Sequence, residues 1–231
     1  VSPDELQEIE PAATFDDVSA ATFESGSGCV DAGAATRSMA KAAMRAGATI
    51  REQVHALELI ERDGAIGGVR TDQGDVSARC VVVANGASSK KLCSTIGIGL
   101  PIEALRVQVA VFQRPMEMAA SHRIFVDTAA GLFCRPFGPG RTLVGVGGGD
   151  QHDPVDPDGF DPRNDLAYPD LARSVMTKRF PAFAGASYLN GHACLYDMTP
   201  DGHPILGAAG PDGLFLAAGF SGAGFKKGPA I

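Results

Sequence analysis

Gly219, Ser221, Gly222, Gly224 and Lys226 fall within one eight-residue stretch, GFSGAGFK, directly behind the apolar run LFLAA. Gly219 and Gly222 admit positive φ, and Ser221 can cap a helix that starts beyond the turn. The first N–H groups of such a helix lack partners and carry the positive end of its dipole, and Lys226 adds a full charge. A strand, a glycine turn and a helix start therefore make a site for negative charge. The same spacing also fits an ordinary strand-to-helix junction.

The other candidates stand singly. Arg135 in GLFCRPF and Arg106 in ALRVQ carry guanidinium groups able to grip a carboxylate through two parallel hydrogen bonds, and a structural ion pair is an equal reading of either. His122, His152, His192 and His203 are scattered beside turns and prolines and are expected to be solvated or structurally satisfied rather than ligands. DQHDPVDPDGFD has the acidity of a cation loop, but its prolines and missing terminal glutamate break the calcium-loop pattern, so a solvated loop is expected. Cys29, Cys80, Cys93, Cys134 and Cys194 are odd in number, widely spaced and form no CxxC or histidine-paired set. No metal is expected, and free thiols suit a reducing cytoplasm.

With 231 residues, 45% of them apolar and 20% charged, the chain is expected to be globular, with one large domain or two small ones. A net charge of -7 argues against a nucleic-acid partner, whose phosphates call for clustered Lys and Arg. No apolar run approaches the roughly 20 residues of a membrane span, and no charged segment followed by an apolar one opens the chain. Val1 is not an initiator methionine, and the sequence stops just after a helix start; both ends are expected to be cut.

The elements that must position these residues follow from periodicity. Residues 1 to 27 read as loop with a short strand near Ala20 to Glu24. An amphipathic helix is expected from Asp31, its N-cap, to Gly47, with Arg37, Lys41 and Arg45 on the wet face. Three short β runs separated by Asp-Gly and Gln-Gly turns follow, a meander. Cys80 to Ala84 is continuously apolar and runs through Gly86 into a helix start at Ser88 or Ser89, the pattern of a parallel strand covered on both faces. From Leu100 to about Leu195 longer β segments predict an antiparallel sheet, with a DP-rich loop at 153 to 165 and one helix near Tyr168 to Arg179. The fold class is α/β, α+β overall.

DMTPDGHPILG followed by GLFLAAGFSGAGFKKGP, together with VDAGAATRSMAKAAMRAGATI, GGVRTDQGDVSARCVVVANGAS and LPIEALRVQ in the same order, resembles the D-amino-acid oxidase and sarcosine oxidase superfamily of FAD enzymes. The match is good over residues 28 to 108 and 189 to 231, and one of texture over 109 to 188. The resemblance implies a partial Rossmann-like FAD-binding domain with an inserted antiparallel-sheet substrate domain. It places the end of a substrate-domain segment at 1 to 27, FAD-binding parts at 28 to 99 and 197 to 231, and the substrate domain at 100 to 196. It also implies that the family's N-terminal βαβ unit with its GxGxxG loop precedes Val1, and that a helix continues beyond Ile231.

By the same resemblance Gly219, Gly222, Ala223, Gly224, Phe225 and Lys226 hold the flavin ring where negative charge collects on reduction. Val54 matches a position whose backbone contacts the adenine end, and Ala84, Asn85 and Gly86 match a small-residue turn passing close to the dinucleotide. Relatives usually have alanine at Asn85 and often a large aromatic at Ser88. Cys194 occupies the place of the cysteine that some members join covalently to the flavin, although a buried packing thiol fits it as well. Tyr196 lines the substrate site, and Arg135 with Tyr196 is expected to hold a substrate carboxylate.

The implied activity is oxidation of the C–N bond of an amine or amino acid by hydride transfer to flavin N5, with a small-molecule amine as the partner. Two departures bear on the electron acceptor. The positions near Leu143 to Val146 hold no base where sarcosine oxidase has a lysine credited with activating oxygen, and Ala223 replaces a common histidine. A dehydrogenase passing electrons elsewhere gains from both. Alternatives are an FAD-dependent 2-hydroxy acid or glycerol phosphate dehydrogenase, and a non-catalytic flavoprotein-like subunit or assembly factor.

Overall fold

The computed structural model describes residues 1–118, 120–147 and 153–231. His152 and the start of the acidic DP-rich segment, along with the end of RTLVGVGGGD, lie outside the described residues. In chain order the elements are α1 (Pro3–Ile9), α2 (Ala32–Arg45), β1 (Ala56–Arg62), β2 (Ala65–Thr71), β3 (Gly74–Ser77), β4 (Val81–Val83), α3 (Ser89–Ser94), β5 (Glu103–Gln113), β6 (Phe125–Asp127), β7 (Leu132–Pro136), β8 (Arg141–Val146), α4 (Tyr168–Arg179), β9 (Ser187–Met198), β10 (Ile205–Ala208), β11 (Leu214–Ala218) and α5 (Gly224–Lys227). They group into two compact units. Unit 1 comprises residues 1–28, 106–153 and 160–194, and unit 2 comprises residues 29–105, 154–159 and 195–231.

Unit 1 is built on a five-stranded sheet in the order β6-β7-β8-β5-β9, antiparallel where β5, β6, β7 and β8 pair. Alternation along these strands sends Ala110, Phe112, Leu132, Cys134 and Val144 to one face, where they meet Tyr168, Ala172, Val175 and Met176 of α4. The helix therefore covers that face with residues one turn apart, as its 3.6-residue period requires. Arg179, at the end of α4, is 3% exposed at its side chain; it forms ion pairs with Asp17 and Asp127 and also donates to the Thr14 carbonyl.

The first residues of unit 1 depart from the loop-and-strand expectation. Residues 20 to 24 form no strand, and residues 3 to 9 form α1 instead. Ser2 accepts from Glu5 N, the Glu5 carboxylate accepts from Ser2 N, and Pro3 takes the first helical position. These are reciprocal caps that satisfy two otherwise unpaired donors.

Unit 2 contains two three-stranded sheets. β1-β2-β3 is the expected meander, with Asp63 (φ 52°) and Gly64 (φ 80°) in the left-handed turn between β1 and β2. The second sheet has the order β10-β11-β4, with β10 and β11 antiparallel and β11 and β4 parallel. Leu214, Leu216, Ala218 and Val83 point into a core with Leu59, Ile66, Leu92, Leu100 and Ile102.

One face of the β4 and β11 pair is left uncovered by the described residues, since Val82 is 62% exposed and Phe215 beside it in register is also exposed. α2 is capped by Asp31 as expected; none of its residues is fully buried, and Ala35 and Ala40 are half-buried.

Candidate functional site

The parallel pairing of β11 with β4 aligns Leu214, Phe215 and Leu216 with Val81, Val82 and Val83, so both strands run out toward the same edge of the sheet, β11 two residues further than β4. The turns that follow them, Ala84 to Ala87 and Gly219 to Gly222, therefore lie side by side at the carboxyl edge, where open α/β sheets hold their ligands. Both turns line one cavity of about 420 Å³ with walls that include Ala84, Gly86, Asp197, Phe220 and Gly224. A second cavity of about 530 Å³ lies beside the first of these turns, lined by Val54, His55, Asn85, Ser88 and Lys91 among others. The turn thus presents Gly86 to one hollow and Asn85 to the other. Gly86 has φ 53°, and a Cβ there would meet nothing within 4 Å, so the space beside the backbone is open to a ligand.

The glycine turn after β11 is tight for a stated reason. Gly222 has φ 80°, and a Cβ there would stand 2.7 Å from the Tyr196 ring, so glycine is what lets the tyrosine lie against the main chain. Ser221 does not cap a helix as expected. Its φ is 51°, its Oγ accepts from Thr199 N at 3.2 Å, and the N-cap of α5 is Ala223, with no side-chain cap. α5 is a single turn. Ala223 N donates to the Phe220 carbonyl at 2.9 Å, whereas among the described residues no acceptor takes the N–H of Gly222, Gly224 or Phe225. Open amides clustered within four residues, with Lys226 exposed next to them, form a cradle for negative charge.

The structure gathers most of the expected cofactor residues into unit 2. Val54 and Asn85 share one cavity, Ala84, Gly86 and Gly224 share the other, and Gly219, Gly222, Ala223, Phe225 and Lys226 belong to the adjoining turn and α5. Tyr196 lies in unit 2 with its ring on Gly222, and Cys194 falls in the part of β9 that belongs to unit 1. Burial pushes the Cys194 thiol up from its ordinary range.

Arg135 is also in unit 1. It holds its guanidinium 5.0 Å from the Phe137 ring centre and donates to the Pro136 carbonyl at 3.3 Å, with no carboxylate partner among the described residues. Arg106 is by contrast committed, to Asp165 at 3.0 Å, to Asp153 at 3.5 Å and to the carbonyls of Asp161 and Arg163. Its reading as a structural ion pair is the one the geometry supports. His122 is buried between the Arg123 carbonyl and Thr142 Oγ1, while His192 and His203 are exposed.

Asp197 opens the DMTPDGHPILG motif, but the motif assigned it no role. It lines the 420 Å³ cavity and binds the glycine turn through both side chain and main chain. Among the described residues no group of three or more His, Cys, Asp or Glu side chains is placed to hold a metal, and no helix is long and apolar enough to cross a membrane.

A sequence model of the FAD dependent oxidoreductases matches residues 1–231. The chain belongs to the FAD dependent oxidoreductase family. It is 27% identical to 4-methylaminobutanoate oxidase (formaldehyde-forming) of Paenarthrobacter nicotinovorans, over 100% of this chain and 29% of that one. It is 27% identical to glycine oxidase of Pseudomonas putida, over 79% of this chain and 47% of the relative. To peroxisomal sarcosine oxidase of Homo sapiens it is 24% identical, over 100% and 61%.

Of the solved structures, L-proline dehydrogenase from P. horikoshii superposes with a TM-score of 0.88 at 26% identity, over 100% of this chain and 61% of that one. Glycine oxidase from Geobacillus kaustophilus superposes with a TM-score of 0.82 at 23% identity, over 100% and 59%, and shares the fold. The chain spans between 29% and 61% of the length of the relatives and structures named here.

FAD is the cofactor of this family, and unit 2 suits it on its own geometry. The open space beside Gly86 admits a close approach to backbone, and the uncommitted amides of Gly222, Gly224 and Phe225 suit a group that gathers negative charge.

Proposed function

We propose that the intact protein oxidises the C–N bond of a small amine or amino acid, with a sarcosine-like secondary amine as the favoured substrate, and that this chain supplies part of the FAD site and of the substrate site. The observation that carries the reading is the pair of turns at the carboxyl edge of β4 and β11, both of which line one cavity beside the open amides of Gly222, Gly224 and Phe225, in a chain of the FAD dependent oxidoreductase family. When bound, FAD accepts the two electrons and the hydrogen removed from the carbon next to nitrogen.

The roles of the chain's own residues follow from their chemistry. Val54, Ala84, Asn85 and Gly86 leave room for the dinucleotide to pass close to main chain. The amides of Gly222, Gly224 and Phe225, with the Lys226 ammonium, stabilise negative charge that develops on reduction, at little reorganisation cost because the turn is already formed. Tyr196, held against Gly222, shapes the edge of the site, and Arg135 offers guanidinium donors without a carboxylate partner to a substrate carboxylate. An amine that arrives unprotonated needs no further base from these residues.

Names of relatives support the substrate class: 4-methylaminobutanoate oxidase and peroxisomal sarcosine oxidase are both 24% or more identical to this chain. A reducing compartment such as the cytoplasm suits five free cysteines, of which Cys93 and Cys134 are buried.

The test is anaerobic mixing of the full-length yellow protein with sarcosine, glycine, proline and a 2-hydroxy acid. Bleaching of the flavin absorbance by an amine is the expected result. Bleaching by the hydroxy acid alone, or by nothing, overturns the reading.

A further inference from the structure

The turn after β11 takes its shape from the end of another strand. Gly219 donates its N–H to Asp197 Oδ2 at 2.7 Å, and Ser221 donates its N–H to the main-chain oxygen of the same Asp197 at 3.0 Å. Two residues on, Thr199 N donates to Ser221 Oγ at 3.2 Å. Ser221 sits at φ 51°, a left-handed conformation that is unfavourable for a residue with a side chain. Such a conformation persists only where neighbours over-determine it. Here all three hydrogen bonds come from residues 197 to 199, at the end of β9.

We propose that Asp197 is a positioning residue for the cofactor cradle. Its carboxylate accepts the Gly219 N–H and its carbonyl accepts the Ser221 N–H, which fixes the turn on both sides of Phe220. The N–H groups of Gly222 and Gly224 that follow are thereby held in one arrangement before any ligand arrives. Asp197 also lines the 420 Å³ cavity, so the group that shapes the turn is itself part of the wall. An oxygen acceptor at this position is what the turn requires, and charge is secondary: the amide oxygen of asparagine can accept the same N–H, whereas alanine cannot. This inference rests on the FAD reading above for its functional consequence, but not for its structural one.

Two variants of the full-length protein, Asp197→Ala and Asp197→Asn, test it with two readouts. The first readout is amide hydrogen exchange without flavin at Gly219 and Ser221, with Leu216 in β11 as the internal reference for an intact fold. The second is the dissociation constant for FAD.

Asp197→Ala is expected to speed exchange at Gly219 at least tenfold while Leu216 is unchanged, and to weaken FAD at least tenfold, about 1.4 kcal/mol. Asp197→Asn is expected to stay within about threefold of the parent in both. The proposal is overturned if the alanine variant matches the parent at Gly219 and in FAD affinity, or if the asparagine variant is as damaged as alanine. Should Asp197→Ala also disturb Leu216, Asp197→Asn decides alone, since retained protection and retained FAD support the acceptor role and joint loss of both removes it. If the parent protein binds no FAD at all, the cofactor reading fails, and Gly219 exchange still reports whether Asp197 holds the turn.

Discussion

In unit 1 the buried Arg179, His122 and Glu10 side chains meet other groups at fixed places: Arg179 with Asp17 and Asp127, His122 with Thr142 and the Arg123 carbonyl, and Glu10 with the Arg123 N–H. In unit 2 the cavity edge is shaped by main chain instead, through glycines with positive φ and N–H groups that no protein acceptor takes. Their cores differ in the same sense. Phe112, Phe180 and Phe183 are fully buried in unit 1, while the core of unit 2 is of Leu, Ile, Val, Ala and Cys, with no buried aromatic ring. Side-chain clusters such as that of Arg179 brace unit 1, whereas the backbone donors left open in unit 2 are prepared for a ligand.

The sharpest way to break this comparison is Arg179→Met. Removing the guanidinium leaves Asp127, whose side chain is 10% exposed, as an uncompensated buried charge, and loss of one partner from a buried pair costs about 3–5 kcal/mol. Urea melting of unit 1 signals should show that loss. A change below about 1 kcal/mol would mean that Asp127 reaches water and that the scaffold does not depend on this cluster.

Gly222→Ala probes the other side with a smaller effect on stability and a larger one on the cradle. The added methyl meets the Tyr196 ring at 2.7 Å, and φ 80° costs alanine on the order of 1–2 kcal/mol. Unit 1 melting should be unchanged, while FAD retention on gel filtration of the full-length protein is expected to fall. An alanine variant that keeps its colour would show that the turn is compliant.

These two sites also show what could be read from residues alone. The glycine turn was legible because Gly219 and Gly222 report a backbone requirement in their own identity, and α4 and the meander were legible from periodicity and Asp-Gly punctuation. Asp197 was not, because an acid next to Tyr196 has no periodicity and no spacing rule, and its partners Gly219 and Ser221 are 22 and 24 residues away in the chain. Ser221 misleads for a related reason: a serine before a helix suggests a cap, and the tertiary bonds from Thr199 divert its hydroxyl. α1 was a different kind of miss. Its Ser-Pro-Asp-Glu start carries a full capping signature that the short apolar content of the segment obscured. Exposure of Val82 was unreadable because a continuous apolar run does not state which of its faces finds a partner.

A pH titration sharpens the scaffold side. Burial is the first cause that lowers the His122 pKa below its usual value, the Arg123 carbonyl opposes it, and the nearby Arg114 charge lowers it further. The folded state therefore prefers neutral His122. Its contribution is full above the unfolded pKa of about 6.5 and is lost as pH falls from there through the depressed folded value. Unit 1 is expected to melt at progressively lower urea as pH drops below about 6.5, and His122→Gln should flatten that dependence even if it lowers stability overall. An unchanged slope in the variant would place the acid sensitivity elsewhere.

The mildest test concerns Cys194, which belongs to unit 1 by position but stands two residues from Tyr196. The thiolate is the reactive form of cysteine. Burial raises the Cys194 thiol, and burial first pushes Cys134 up to about 12, so both are held as thiols at neutral pH, while Cys29 and Cys80 are exposed. Iodoacetamide is expected to label Cys29 and Cys80 first, Cys194 slowly, and Cys93 and Cys134 only after unfolding, as read by peptide mass. A protonated Cys194 is a poor nucleophile toward a flavin, so acid precipitation of the full-length protein should leave the yellow colour in the supernatant. Colour retained in the pellet, and lost from it in Cys194→Ser, would show instead that the bound cofactor lowers this thiol. The division between a closed scaffold and an open cradle would then run through β9 on the far side of residue 194.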